Sequence, residues 1–253
     1  MDSRFPTNYI TGLEVLRDRL PADSYTLAIP ALRSLENLDF PCPVTFFTGE
    51  NGSGKSTLLE AVAVAYGFNP EGGTRNFQFS TRDTHSDFSS ALRLRKGVKK
   101  PQDGFFLRAE SFYNVASKVD DYAAESIGRI NYLDYYGGRS LHCQSHGESF
   151  LALVQGEFCE QGIYILDEPE AALSPQRQLT LLMEIVRLSR RGAQFIIASH
   201  SPILLGTPDA SILTFDDGRI HECSYEDTES YQVTELFINN REYLLERLLN
   251  DSL

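Results

Sequence analysis

Between Thr45 and Thr57 the chain reads T-F-F-T-G-E-N-G-S-G-K-S-T, and this run constrains the fold more than any other feature. Gly49, Gly54, Lys55 and Ser56 fit the phosphate-binding pattern G-x-x-x-x-G-K-[ST]. Val44-Thr45-Phe46-Phe47 before it predicts a buried strand. Leu58, Leu59, Val62, Ala63 and Tyr66 after it fall on one side of a helix. Strand, glycine loop and helix in that order form the context the pattern needs, so a nucleotide phosphate is the expected ligand. Gly49, Gly52 and Gly54 let the backbone of the loop, with Glu50, Asn51 and Ser53, curl its N–H groups inward. The helix beginning near Lys55 adds its positive end. Lys55 is expected on the β- and γ-phosphates, Ser56 on Mg2+ and Thr57 on the α-phosphate.

A second apolar run, Ile163-Tyr164-Ile165-Leu166, ends in Asp167-Glu168-Pro169, the form of a Walker B segment. A buried strand beside the phosphate-loop strand would deliver both acids to the same crevice. Asp167 is expected to hold Mg2+, and Glu168 to orient or deprotonate the attacking water. A third apolar run, Gln194 to Ala198, leads into Ser199-His200. A histidine at that sheet edge can sense the γ-phosphate by hydrogen bonding. The helix between these strands is predicted to bury Leu179, Leu182, Met183 and Val186, with Ser174 as cap and Pro175 as first residue. Upstream of the second run, Gln144-Ser145-His146-Gly147-Glu148 opens another helical stretch.

In this order, the phosphate loop, the Ser145–Glu148 turn, Asp167-Glu168 and His200 resemble the ABC-type ATPases, on the RecF-like and SMC-like side of that family. The wording is similar to that of small stand-alone bacterial ATPases. The family signature reads L-S-G-G-Q or L-S-G-G-E. Ser145, Gly147 and Glu148 match it, while Gln144 and His146 depart from it. The resemblance implies an α/β P-loop NTPase fold with a mixed β core, flanking helices and a small helical signature lobe. It implies one ATPase domain over 1–253, with a nucleotide-binding core at 1–110 and 148–253 and an insertion at 111–147. It further implies Mg-ATP hydrolysis by a head-to-tail homodimer, with Ser145, His146, Gly147 and Glu148 meeting the partner subunit's nucleotide. Ala171-Ala172-Leu173-Ser174 falls at the family's D-loop. The family's Q-loop glutamine is missing after the strand Gly104–Phe112. Glu110 is a candidate replacement that would touch Mg2+ or water, or else a plain strand-exit carboxylate, and Arg108 is an alternative that would approach phosphate.

Composition bounds the role. With 253 residues, 42% hydrophobic and 23% charged, the chain has the make-up of a soluble globular protein. It has no apolar run long enough for a membrane span. Cys42, Cys143, Cys159 and Cys223 form no C-x-x-C pair, which argues against a zinc site or disulfide framework. Met1–Pro6 lacks the form of a secretory signal, so cytoplasmic residence is expected. A net charge of −12 argues against a chain-wide nucleic-acid platform. Arg93, Arg95, Lys96, Lys99 and Lys100 form a local basic run, either a solvated surface stretch or a site for nucleic acid. Three functions compete: an energy or switch module for an unknown protein partner, a DNA or RNA transaction ATPase, and the nucleotide-binding subunit of a transporter. Tyr25 is a candidate adenine contact, a hairpin is expected at Ile212–His221, and a terminal helix with Phe237, Leu244, Leu245 and Leu248 would cover the sheet or bind a partner.

Overall fold

Strands that are buried on both faces need apolar side chains at every position, and the three runs singled out above are built that way. In this computed structural model, which describes residues 8–74, 87–108 and 141–250, they form the centre of a mixed sheet. Glu110 and most of the expected helical insertion lie outside the described residues. In chain order the strands are β1 (Ile10–Val15), β2 (Asn37–Asp39), β3 (Val44–Thr48), β4 (Gly73–Thr74), β5 (Leu92–Lys96), β6 (Asp103–Arg108), β7 (Gly162–Asp167), β8 (Gln194–Ala198), β9 (Ser211–Thr214) and β10 (His221–Glu222). The main sheet runs β10-β9-β3-β8-β7-β6-β4. Strands β9, β3, β8, β7 and β6 are mutually parallel, and β10 and β4 close the edges antiparallel.

Alternation along each central strand feeds two cores. Phe46, Leu166 and Ile197 point to one face, with Phe150, Leu153 and Leu181 from the covering helices. Phe47, Ile165 and Ile196 point to the other, where the phosphate-loop helix Lys55–Tyr66 packs through Leu58, Leu59 and Val62. All the residues predicted for the inner side of that helix are buried, together with Lys55 and Ala61.

A small antiparallel sheet, β2-β1-β5, lies on the second core. Gln194, at the start of β8, ties it down. Its Oε1 accepts the amides of Tyr9 and Ile10, each at 2.9 Å, and its Nε2 donates to Ile10 O at 2.7 Å. That is a nearly complete use of a buried amide. The basic run falls largely on β5. Arg93 pairs with Glu14 at 3.1 Å, Arg95 with Asp39 at 2.5 Å, and Lys96 Nζ sits 5.0 Å from the centre of the Tyr66 ring.

Two expectations are corrected. The helix Pro175–Ser189 buries Leu181, Ile185 and Leu188, whereas Leu179 and Met183 are 45% and 69% exposed. Apolar residues lie on both sides of this helix, so a stripe at helical spacing can be drawn on either one. The sheet covers the side carrying Leu181. The chain ends in helices Glu229–Asn239 and Arg241–Asn250, which bury no residue, with Phe237 and Leu248 43% and 61% exposed. They do not cover the sheet. The hairpin near Asp216 forms as expected, with β9 and β10 paired across it.

Candidate functional site

Parallel strands end at one edge of a sheet, and the loops that leave that edge after β3, β7 and β8 carry the predicted residues. The loop after β3 holds Gly49 to Gly54, with Gly49, Gly52 and Gly54 at φ of 130°, 82° and 103°. A Cβ at Gly49 would lie 2.8 Å from Asp216 Oδ1 and 3.1 Å from Phe215 N, and Gly54 is crowded in the same way. Besides its left-handed backbone, a Cβ there would lie 2.9 Å from Ile29 Cγ2, so the loop is pressed onto the segment before it. Lys55, in the first turn of the helix, is only 4% exposed. Its Nζ donates to Gly49 O and Glu50 O, both at 2.7 Å. Burial pushes the Lys55 ammonium's pKa down, and the carboxylates of Glu168, Asp216, Asp167 and Glu170 pull it back up.

Ser56, also in that first turn, donates its hydroxyl to Asp167 Oδ1 at 2.9 Å. The strand register explains the meeting, because β8 alone separates β3 from β7. Asp167 is then braced from the other side. Arg108, opposite it in the β6–β7 register, brings Nε to 3.6 Å from Oδ2, and Glu60 holds the same guanidinium at 2.7 Å. Glu60 was not anticipated, although it lies one helical turn after Ser56 and so shares its face. Arg108 thus reaches Asp167 at the end of the strand where a glutamine was sought.

Glu168 takes a left-handed backbone, φ 48° and ψ 52°, a conformation that costs a non-glycine residue about 1–2 kcal/mol. Such strain persists where the surroundings enforce it, and here the Glu168 amide donates to Ala198 O at 2.9 Å. Its carboxylate, 44% exposed, lies 4.0 Å from His200 Nε2. Burial pushes the His200 pKa down and Lys55 adds to the effect, so the imidazole is neutral at neutral pH. The His200 amide donates to Glu170 Oε1 at 2.6 Å. Glu170's own carboxyl is pushed up by burial, and hydrogen bonds from the His200 amide and the Ser199 hydroxyl act against that.

Asp216 was missed at the level of sequence, where it read as a turn residue. Its Oδ1 accepts the Glu50 amide at 3.1 Å and its Oδ2 accepts the Thr214 hydroxyl at 2.6 Å, fixing the outer rim of the loop. An open cleft of about 490 Å³ runs along that rim between Pro30, Ala31, Glu50 to Ser53, and Phe215 to Gly218. Tyr25 is 56% exposed and is not among the residues lining it. The Ser145–Glu148 turn is elsewhere, at the start of the helix His146–Glu157. Ser145, His146 and Glu148 are exposed and Gly147 is buried.

The donor set fits a magnesium nucleotide. Among the described residues, His200 Nε2 and Ser53 Oγ are buried with no hydrogen-bond partner, and Lys55 Nζ donates to loop carbonyls. Among the described residues no three His, Cys, Asp or Glu side chains are grouped to hold a metal. The Ser56–Asp167 pair is what Mg2+ needs only when phosphate oxygens and water complete its octahedron. Among the described residues no helix is long and apolar enough to cross a membrane.

This fold, with this ordered set of loops at its edge, is that of an ABC-type P-loop ATPase. The comparisons with known proteins agree. A family model described as an AAA domain matches residues 27–123. A second, described as an AAA domain and suspected AbiEii toxin of a Type IV TA system, matches residues 149–206. The Cobalt import ATP-binding protein CbiO of Salmonella paratyphi A is 27% identical over 203 residues, spanning 76% of this chain and 74% of its own. The Energy-coupling factor transporter ATP-binding protein EcfA of Methanothermobacter thermautotrophicus is 24% identical over 209 residues, spanning 78% and 66%. The solved structure of cbiO1 from Clostridium perfringens, part of the ABC transporter complex cbiONQ, superposes with a TM-score of 0.51 at 18% identity, over 94% of this chain and 99% of that one. It shares the fold.

Proposed function

We infer that the chain binds ATP with Mg2+ at Gly49–Thr57 and hydrolyses it, and that two copies close head to tail around the nucleotides as an energy or switch module for a protein partner. The observation that carries this reading is the convergence of Lys55, the Ser56–Asp167 pair, Glu168 and His200 at one sheet edge. Lys55 would exchange the carbonyls of Gly49 and Glu50 for phosphate oxygens, a gain because an ammonium binds an anion more strongly than a neutral acceptor. Ser56 and Asp167 would hold magnesium, which neutralises phosphate charge when bound. Glu168, on its strained turn, is directed to hold the attacking water and take its proton. His200, neutral, would donate from Nε2 to the terminal phosphate. The exposed Ser145 turn is the surface that a second subunit's nucleotide would meet, at a helix N-terminus.

The test is Glu168→Gln, which keeps the side chain's shape and removes its basicity. Hydrolysis is expected to fall by about 10²–10⁴-fold, and with saturating Mg-ATP the protein should run as a dimer in light scattering. A variant that stays monomeric, or turns over as fast as wild type, rejects the mechanism.

A second reading, the ATP-binding subunit of a transporter, is favoured by the similarity to CbiO, a cobalt import ATP-binding protein, and to EcfA, an energy-coupling factor transporter ATP-binding protein. Retention of the Glu168→Gln form by a membrane protein in its native cell would favour it over a soluble partner. The nucleic-acid reading has less support. Arg93, Arg95 and Lys96 are engaged by Glu14, Asp39 and Tyr66.

A further inference from the structure

The helix that follows Ala171–Ser174 sends one side chain back over the exposed turn at Ser145. Arg177 donates from Nη1 to Ser145 Oγ at 3.3 Å and from Nη2 to Glu148 Oε1 at 2.9 Å. Glu148 in turn accepts the Ser145 amide at 3.1 Å, the reciprocal arm of a capping box. Gly147 is buried between the partners. A Cβ at that position would lie 2.8 Å from Arg177 Nη1 and 2.9 Å from Ala172 O. Glycine is therefore required at 147 by a contact inside the subunit, where the guanidinium and the backbone of the Ala171–Ser174 segment occupy the side chain's space. His146, one residue earlier, is exposed.

The ion pair has little value as a stabiliser. Its side chains are 33% and 56% exposed, and pairs of that kind contribute little to stability. Its geometry does more. One planar fork joins a hydroxyl and a carboxylate on the turn while lying against the loop that precedes its own helix, and a lysine cannot span both acceptors in that way. We propose that Arg177 is a positioning residue that locks the Ser145–Glu148 turn onto the Ala171–Ser174 segment, so that each subunit presents the two to its partner's nucleotide as one rigid surface. The role rests on the head-to-tail reading above. Ordering both segments before association removes an entropy cost that dimerisation would otherwise carry.

The experiment measures the dimer dissociation constant in Mg-ATP by analytical ultracentrifugation in the Glu168→Gln background, alongside binding of a fluorescent ATP analogue to the dilute monomer. Arg177→Ala is expected to weaken the dimer by about 10-fold or more, the scale of a small misplacement at a phosphate contact. Monomer nucleotide affinity should stay within about twofold, a split that general unfolding would not produce. Arg177→Lys should behave as the alanine variant does. Arg177→Ala added to Ser145→Ala should weaken the dimer little further, because residues acting as a unit are non-additive. Glu148→Gln, which keeps the cap and removes the ion pair, gives a milder probe should Arg177→Ala fold poorly, with a loss of about threefold expected. An unchanged dimer, a parallel loss of monomer affinity, or full additivity with Ser145→Ala overturns the proposal. A Glu168→Gln parent that never dimerises overturns the head-to-tail reading first, before any Arg177 variant is compared.

Discussion

The phosphate loop and the Ser145 turn both bring serine and glycine to a helix N-terminus, yet the molecule builds them in opposite ways. Lys55 and Asp167 are 4% and 7% exposed, and the strands β3, β7 and β8 hold them. Ser145, His146 and Glu148 lie on the surface, and one arginine from a neighbouring helix holds Ser145 and Glu148. In the first region the backbone is curled and the charges are balanced before any ligand arrives. On the head-to-tail reading proposed above, the first region can act alone, whereas the second acquires its chemistry from the subunit that docks on it.

The strongest challenge to that contrast is Lys55→Ala. It is expected to reduce Mg-ATP binding by the isolated monomer by about 10²–10³-fold, measured by fluorescent-nucleotide titration, while Ser145→Ala leaves monomer binding near the wild-type value. Equal losses in the two variants would mean that both regions serve the same bound nucleotide within one subunit. A smaller effect is expected at Arg108, which braces the buried half only. Arg108→Ala leaves Glu60 and Asp167 without their shared partner. It should cost roughly 1–3 kcal/mol, about 3–9 °C in melting temperature for a domain of this size, by calorimetry. An unchanged melt would show that the ion pair is not part of the buried frame. The smallest effect belongs to Glu170. Burial raises its carboxyl in the folded chain, so no penalty exists at acid pH, where the folded and unfolded chains are both protonated. The penalty grows as pH rises above the unfolded value and levels off once pH has passed the raised folded value. Glu170→Gln should therefore gain stability relative to wild type as pH rises above the ordinary glutamate value of about 4.3, read as a difference between two melting curves that widens and then levels off. A constant difference would show that Glu170 bears no such burden.

The buried half was legible because its residues are contiguous. A phosphate loop, an apolar strand ending in Asp167-Glu168 and another ending near His200 each carry their own signal, and parallel strands deliver such ends to one edge. What holds those ends was not legible. Glu60, Arg108 and Asp167 come together only because β6 and β7 pair in register, and Asp216 reaches Glu50 only because β9 lies beside β3. Both pairings join residues far apart in the chain, so no local pattern announces them. Arg177 is a similar case, since its partners belong to a different helix. The helix Pro175–Ser189 gives the same lesson about packing. Periodicity drew a stripe through Leu179 and Met183, and the neighbouring sheet chose the face with Leu181, Ile185 and Leu188 instead.

The place of β3 in the sheet has a consequence for how the chain is made. Its neighbours are β8 and β9, which leave the ribosome long after it, and Gln194 is also the anchor for Tyr9 and Ile10. Until the chain has been synthesised past Ala198, the strand that carries the phosphate loop has both hydrogen-bonding edges open, and one edge stays open until Thr214 is made. Open edges invite pairing with other chains. Pairings so distant in sequence also form slowly. A nascent chain stalled before Gln194 would present its nucleotide loop on an unpartnered ribbon, a species for chaperones to shield and not one able to hold ATP.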